Sequence, residues 1–574
     1  MKLAGNLFSA IYAELLVVAL LILSFSYFTG IPKKTIVADG IGYYDYLPSV
    51  FIHSDINRKN HPEKEKPELY KRINSLGVYT SFEELKINKY TVGSALLISP
   101  FFLTNLIMEG NNSELSGYEE SFQSTVMVAA LFYLFLALIF LRKILKTYKI
   151  KGWVIRVTQL NITLATSIAY YTNQEASFSH VYSLFAITTF IYIIRRFFLS
   201  PKSKYVLIAV FLLGLIFTIR QINIIIVLFI PFLAGSPKTL KEGWRYFISK
   251  PIFIGLSFIL LIITIFPQLL AWYLQIGKWF VYSYQDEGFN FLEPNFVNIL
   301  FSYRKGLFVY TPITLLGIAG LIIMLLKKRY YEFFTWLAFF LFLTYILSSW
   351  WCWYYGGSYG LRAYVDFYCV LFIPFAVLLN FSNKPVRLLV IAASCFFIVL
   401  TTIQIYQYKE FILQWSGMDK ERYWKVFLKT DDTYKGLFWK KIFDKETLEL
   451  KDSSASANFI IPKNENKAVV SMYSSNIKNF NSVSLVEMIC ENEFEEKPMP
   501  KIEFIVKDSV SNETLYKNNK PLYHFKNSKT RNKGFYFYEI PRADNNPVLI
   551  YVKAFTSEKE LVLKNVKLNF YSKK

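Results

Sequence analysis

Apolar runs of roughly 17–25 residues, the length that crosses a bilayer as a helix, recur through the first 405 residues, with the charged residues gathered between them. The first is Leu7–Phe28. After a long polar stretch, Thr29–Lys89, further runs cover Phe122–Leu141, Trp153–Tyr171, His180–Ile194, Tyr205–Ile219, Ile222–Leu233 and Pro251–Ile276. They continue with Gly306–Leu326, Phe333–Ser349, Tyr364–Phe381 and Leu388–Ile405. The pattern predicts a polytopic α-helical membrane protein with about eleven transmembrane helices.

One stretch, Thr91–Met108, is short and holds Gly93, Ser94, Ser99 and Pro100. If it crossed, the acidic loop Glu109–Glu120 would lie inside and Arg142, Lys143, Lys146, Lys149 and Lys151 outside, inverting the positive-inside rule. Read instead as a helix along the outer interface, it puts the N-terminus in the cytoplasm. The basic groups Arg195–Lys204, Lys238–Lys250, Lys327–Arg329 and Lys384–Arg387 then fall inside. Few cations remain outside: Arg220, Lys278, Arg304, Lys305 and Arg362. Topology does not ask for these.

Beyond Tyr406 the pattern changes to short apolar or alternating runs among charged residues: Asn458–Ile461, Ala468–Tyr473, Ile502–Val506, Gly534–Ile540, Val548–Phe555 and Leu561–Phe570. Runs of this kind bounded by Asn, Lys, Ser and Pro predict strands of an antiparallel sheet, as in a small sandwich. The expected division is a membrane domain, 1–405, whose first outer loop is 30–121, followed by an extracytoplasmic, mainly-β domain, 406–574. The tail shows no catalytic constellation, with His524 alone and its acids scattered.

Composition agrees. Of the 574 residues, 53% are hydrophobic, against about 45–50% in soluble domains by a count that includes glycine. The net charge of +22 raises the question of nucleic acid. Its carriers, however, are spread over short loops and a lysine-rich tail, so no nucleic-acid partner is expected. The four cysteines include no CxxC pair, so neither a disulfide framework nor a zinc site is indicated. The first apolar run lacks a small-residue cleavage signal and reads as an uncleaved anchor.

Candidate chemistry centres on Asp39-Gly40-Ile41-Gly42-Tyr43-Tyr44-Asp45-Tyr46, just past the first span. A carboxylate at a membrane boundary is costly to desolvate. With it on the outer face come Lys89, Glu175, His180, Arg304, Lys305 and Arg362. One acid with several cations at the mouth of an apolar cavity suits sugar transfer from a polyprenyl phosphate. Asp39 would be the base for an acceptor hydroxyl. The leaving phosphate needs cations to hold its charge, for which Lys89, Arg304, Lys305 and Arg362 are the candidates. Tyr43, Tyr44, Glu175 and His180 are candidates for positioning sugar or acceptor. Duller roles stand beside these. Asp39 is also a natural N-cap, Asp45 a solvated or salt-bridged surface residue, Lys89 a snorkelling lysine, and His180 a structural hydrogen-bonding group. Arg304, Lys305 and Arg362 also suit plain anchors, and Trp350, Trp351 and Trp353 an interfacial aromatic belt.

Taken in order, these blocks resemble the GT-C superfamily of polyprenyl-phosphate-sugar-dependent glycosyltransferases, in particular bacterial members related to protein mannosyltransferases and lipid A aminoarabinose transferases. The resemblance covers roughly residues 7–405. It rests on Asp39-Gly40 with Tyr43-Tyr44, on Asn88-Lys89-Tyr90-Thr91-Val92-Gly93 through Ser99-Pro100-Phe101-Phe102, and on Ser179-His180-Val181-Tyr182-Ser183. Phe301 through Phe308 and Gly356 through Arg362 complete it. It implies a base at Asp39, a donor-phosphate contact at Lys89 and a second acidic position at Glu175. It also implies a multi-pass location in a bacterial inner membrane, with membrane lipids and a glycan, lipid or protein acceptor as partners. Many relatives carry an Asp-Glu pair where Gly40 stands, which leaves a divalent metal open and assigns no metal ligand. A transporter or flippase for a lipid-linked glycan is the alternative. Such proteins usually show paired repeats and polar groups at mid-bilayer; here the polar residues cluster at one face without a repeat, and Asn223 and Gln268 are the nearest exceptions.

Overall fold

The computed structural model describes the chain except residues 1, 29, 31, 58–76, 83–84, 111–114, 415–416, 432–433, 436–447, 454–456, 462–467, 475–484, 493–500, 509, 522–532, 540–547, 556–560 and 574. His524 lies outside the described residues. Two compact units divide the chain: Met1–Tyr406 with Trp415–Lys420, and Gln407–Gln414 with Glu421–Lys574.

The first unit is helical. Among the described residues six helices are long and apolar enough to cross a membrane: Glu120–Thr147, His180–Leu199, Pro251–Ile276, Tyr330–Ser348, Arg362–Phe381 and Lys384–Lys409. Gln221–Ala234 and Pro237–Ile248 form a further pair, bent by 119°. Shorter apolar helices are Ile11–Tyr27, Gly93–Glu109, Ser203–Ile219 and Ile313–Leu326.

Several of the predicted runs are broken, each for a local reason. Trp153–Tyr171 is two helices, Gly152–Leu164 and Ile168–Asn173. Between them the Thr166 hydroxyl donates to Ile162 O at 2.6 Å and accepts from Ile168 N at 3.2 Å, a side-chain competition that ends helices. Gly306–Leu326 begins as a single turn, Leu307–Tyr310, and restarts after Pro312. Ile222–Leu233 opens as a 3-10 helix, Gln221–Phe229. In Tyr368–Phe381, Pro374 has no N–H for the carbonyl four residues back. That carbonyl, Val370 O, accepts instead from Trp336 Nε1 at 3.0 Å, which satisfies both buried groups.

The two polar residues singled out in the sequence, Asn223 and Gln268, have partners inside the bundle. Gln268 accepts from Val92 N at 2.8 Å, and Asn223 donates to Asp366 at 2.7 Å. Glu14, fully buried in the first helix, accepts from Arg142 Nε at 2.6 Å and Gln159 Nε2 at 2.7 Å. A buried carboxylate with such partners ties its helix to the bundle.

The second unit is antiparallel β, in two sheets. One orders its strands Ala468–Ser474, Val548–Phe555, Lys501–Asp508 and Thr514–Pro521. The other orders Leu448–Ser453, Leu561–Lys573, Leu485–Asn492 and Lys533–Glu539, with Ala457–Ile461 also on Leu561–Lys573. The runs predicted from pattern are strands here. Leu448–Ser453, Leu485–Asn492 and Thr514–Pro521 are additional, being too polar in part to stand out.

Candidate functional site

Asp39 opens a short helix, Asp39–Tyr44, as its first residue and not as its cap. The cap position is Ala38, whose φ of 46° lies in the left-handed region. An alanine there costs on the order of 1 kcal/mol, and it persists only where the surroundings impose it. They do. Thr35 N and Ile36 N donate to Gln123 Oε1 at 2.9 and 2.8 Å, and Thr35 Oγ1 donates to Gln123 O at 2.6 Å. Ser177 Oγ donates to Thr35 O at 3.0 Å. The chain leading into Asp39 is therefore pinned from two sides.

Gly40 and Gly42 serve close approach. A Cβ on Gly40 would overlap Ser177 Oγ, and one on Gly42 would overlap the Tyr90 ring. Asn88 Nδ2 also donates to Gly42 O at 2.8 Å. Overpacking of this kind costs about 1–3 kcal/mol. It would displace Tyr90, whose hydroxyl bonds Asp39. Gly42→Ala is thus expected to lower the melting temperature and, for the sugar transfer that the sequence leads one to expect, to cut the rate by about 10²-fold, the usual cost of a small misplacement at a reacting centre. Purified protein assayed for both would check it. Wild-type behaviour in both would remove the packing role.

Lys89 follows a two-stranded hairpin, Tyr79–Phe82 with Leu85–Asn88. Its backbone N donates to Val78 O at 2.9 Å, and its carbonyl accepts from Ser283 Oγ at 2.8 Å. Its amine pairs with Glu287 and lies 5.0 Å from the Tyr284 ring centroid. Arg362 arrives through Gly356-Gly357-Ser358-Tyr359-Gly360, where Gly356 and Gly360 take φ of 64° and 61° that a side chain would strain. Its Nη1 is 2.5 Å from Asp39 Oδ2, and its guanidinium lies 5.4 Å from the Phe178 centroid.

These groups face one cavity of about 600 Å³. Asp39, Tyr43, Lys89, His180, Arg220, Glu287 and Arg362 line it, with an aromatic wall of Tyr90, Phe178, Tyr282, Tyr284, Phe289, Trp350, Trp351, Tyr354 and Tyr355. Apolar faces with a few convergent polar groups are the usual form of a small-molecule site. Burial acts to raise the Asp39 carboxyl, but Arg362, the Tyr90 hydroxyl and Lys89 outweigh it and hold it below its ordinary 3.8. The anion is the form present at neutral pH.

The other candidates stand elsewhere. Tyr44 is fully buried and donates to Gly117 O at 2.5 Å, its ring edge-on to Phe102 and Tyr118. Asp45, read as a surface residue, is buried and accepts from Tyr79 and Tyr118 hydroxyls, each at 2.5 Å. Arg304 stacks over Tyr354, 3.4 Å from the centroid. Lys305 is buried and donates to Ser358 O and Oγ. Burial, then Arg362, pushes its amine well below the usual lysine range. None of the four is in the cavity wall.

Glu175 is also behind the wall. One oxygen accepts from Tyr170 OH at 3.1 Å, and the other is buried without a hydrogen-bond partner. Burial lifts its carboxyl from 4.5 to about 7 against the pull of Arg362. The folded state then holds a proton that the unfolded chain has lost between those two values, so stability falls as pH rises through that window. Glu175→Gln is expected to leave the melting temperature unchanged near pH 4.5 and to raise it at pH 8, by a gain of at most about 3 kcal/mol. Thermal melts of the detergent-solubilised protein at the two pH values check it. A destabilised variant at pH 8 would refute it.

What sequence reasoning passed over is Glu287, Tyr90, Tyr284, Trp350 and Trp351 in the wall and Asp366 behind it. The tryptophans were assigned to an interfacial belt, although their neighbours Tyr282 and Tyr284 share the loop that bridges Phe289 to Trp350. Among the described residues no three His, Cys, Asp or Glu side chains are grouped to hold a metal ion. Asp39 instead has an arginine as its partner.

No protein-family model matches the chain, nor does a curated protein. Among solved structures it is similar to the Archaeoglobus fulgidus oligosaccharyltransferase in the apo form, at 13% identity and TM-score 0.40 over 73% of this chain and 57% of that one. It is also similar to AglB from the same organism in complex with an inhibitory peptide and a dolichol-phosphate, at 12% and 0.38 over 72% and 57%. A third is the arabinosyltransferase EmbB from Mycobacterium smegmatis, at 10% and 0.32 over 98% and 64%. The chain spans less than two thirds of the length of each.

Proposed function

We propose that the protein is a membrane-embedded glycosyltransferase that moves a sugar from a polyprenyl-phosphate donor to an acceptor hydroxyl. The supporting observation is the Asp39 carboxyl facing an aromatic-walled cavity of about 600 Å³, with Arg362 at 2.5 Å and Lys89 in the same wall. In the reaction the acceptor oxygen attacks the anomeric carbon and its proton passes to an Asp39 oxygen. The bond from that carbon to the phosphate oxygen breaks, and the phosphate leaves with the electron pair. Arg362 and Lys89 hold its charge. Arg362 sits between base and leaving group, so contact with the phosphate loosens its grip on Asp39 and leaves that carboxylate more basic as the donor binds.

Arg304 and Lys305 act on the shape of the wall, through Tyr354 and Ser358, with Tyr43 and His180 meeting the sugar or acceptor. The site belongs on the outer face of an inner membrane, with the N-terminus cytoplasmic, residues 1–405 catalytic, and the β-rich residues 406–574 outside and free to meet a glycan, lipid or protein acceptor. The basic loops support that orientation.

The test is reconstitution of the purified protein in liposomes with radiolabelled polyprenyl-phosphate sugar. Label moving from the chloroform-soluble lipid to an acceptor supports the proposal. Lipid-linked sugar crossing the bilayer with its phosphate bond intact would replace it with flipping.

A further inference from the structure

The 3-10 turn Arg362–Phe367 carries two charged side chains with different tasks. Arg362 meets Asp39 at the cavity. Asp366, four residues on, is fully buried and absent from the cavity wall. Its Oδ1 is 2.7 Å from His180 Nδ1, and its Oδ2 accepts from Arg220 Nη1 at 3.0 Å and from Asn223 Nδ2 at 2.7 Å. The Asn223 amide donates also to Ser183 Oγ at 3.0 Å. The three donors come from separate elements: the start of His180–Leu199, the end of Ser203–Ile219 and the 3-10 helix Gln221–Phe229.

A carboxylate taken wholly out of water is costly, and a buried ion pair is weak grounds for added stability. What the arrangement does provide is orientation. Arg220 and His180 both line the cavity, and each is gripped by Asp366, which is absent from that lining. A guanidinium has five N–H donors in a fixed fork, and one of its nitrogens is turned back to Asp366. The imidazole, with Nδ1 on the carboxylate, carries its proton there and leaves Nε2 as an acceptor. Arg220, an outer cation that topology leaves unexplained, thereby has a place in the wall.

We infer that Asp366 is a positioning residue. From behind the wall it aims Arg220 at an anionic phosphate in the cavity and sets His180 Nε2 to accept from a hydroxyl of the bound sugar. This rests on the glycosyl-transfer reading, and it adds a third cation to Lys89 and Arg362.

The experiment uses the full chain in nanodiscs and measures binding of polyprenyl phosphate and of polyprenol, which has the same tail without the charge. Asp366→Asn is expected to weaken polyprenyl phosphate about tenfold and to leave polyprenol unchanged. Arg220→Gln should do the same, and the double variant should lose no more than either single change, since the two act as one unit. Should Asp366→Asn fail to fold, Arg220→Gln and Arg220→Lys carry the comparison. The lysine keeps the charge without the fork, so it should fall between wild type and Gln. Equal weakening of phosphate and polyprenol, or additive losses in the double variant, would make Asp366 a structural staple and overturn the inference. Inorganic phosphate competing as well as the lipid would assign the subsite to a free anion and overturn the lipid source. If wild type shows no saturable binding of polyprenyl phosphate, the donor reading itself falls, an outcome distinct from wild type and variants binding alike.

Discussion

Asp39→Asn is expected to reduce sugar transfer by about 10³-fold while binding of polyprenyl phosphate is kept. The amide has nearly the shape of the carboxylate and its oxygen can still accept from Arg362, whose Nη1 lies 2.5 Å away. It cannot take a proton from an acceptor hydroxyl, and general-base assistance is worth roughly 10²–10⁴-fold. Donor affinity should hold or rise, because the Arg362 guanidinium no longer divides itself between a charged Asp39 and the phosphate. Single-turnover transfer and lipid binding, measured on one preparation, separate the two effects. Full turnover in a folded variant would place the base elsewhere.

The pH dependence identifies where. Asp39 is held below 3.8, so as a base it stays competent on acidification. Glu175, with its carboxyl lifted to about 7 by burial, would lose its basic form as pH falls through that value. With Asp39 as the base, kcat/KM should therefore stay level from pH 8 to pH 5. A single acid limb centred near 7 would point to Glu175, even though that side chain lies behind the cavity wall.

The contrast between those two acids shows what could be read from residues alone. Long apolar runs announce themselves, because a bilayer demands length and hydropathy from each helix separately. Asp39, Lys89 and Arg362 stand out in the sequence as charges expected on one membrane face, and they line one cavity here. Orientation within short irregular segments was not legible. Tyr43 and Tyr44 are neighbours, yet residues on a helix point about 100° apart, and one faces the cavity while the other packs beneath Phe102. Arg304 and Lys305 look like a paired clamp in sequence, but Lys305 turns in to Ser358 and Arg304 lies flat on Tyr354. Asp366 was hidden inside an apolar run, and its three partners lie 143 to 186 residues away. No periodicity reports contacts of that range.

Arg362→Ala should show most directly whether base and leaving-group site are coupled. Two changes are expected together. The proposed donor phosphate would lose one of its cations, and charge stabilisation by a well-placed arginine in phosphate chemistry is worth about 10³-fold or more. Asp39 loses the charge that does most to hold its carboxyl down, so its pKa rises toward the value that burial alone would set. The base is then protonated over more of the acidic range, and activity is lost from the acid side upward as pH falls. The variant should accordingly combine a large fall in kcat/KM at pH 8 with an acid limb at a higher pH than any that wild type shows. Arg362→Lys, which keeps a charge but not the fork, should recover the level profile before it recovers the rate. A variant as slow as this whose pH profile stays level would mean that Arg362 serves the phosphate alone and that the 2.5 Å contact with Asp39 has no part in tuning the base.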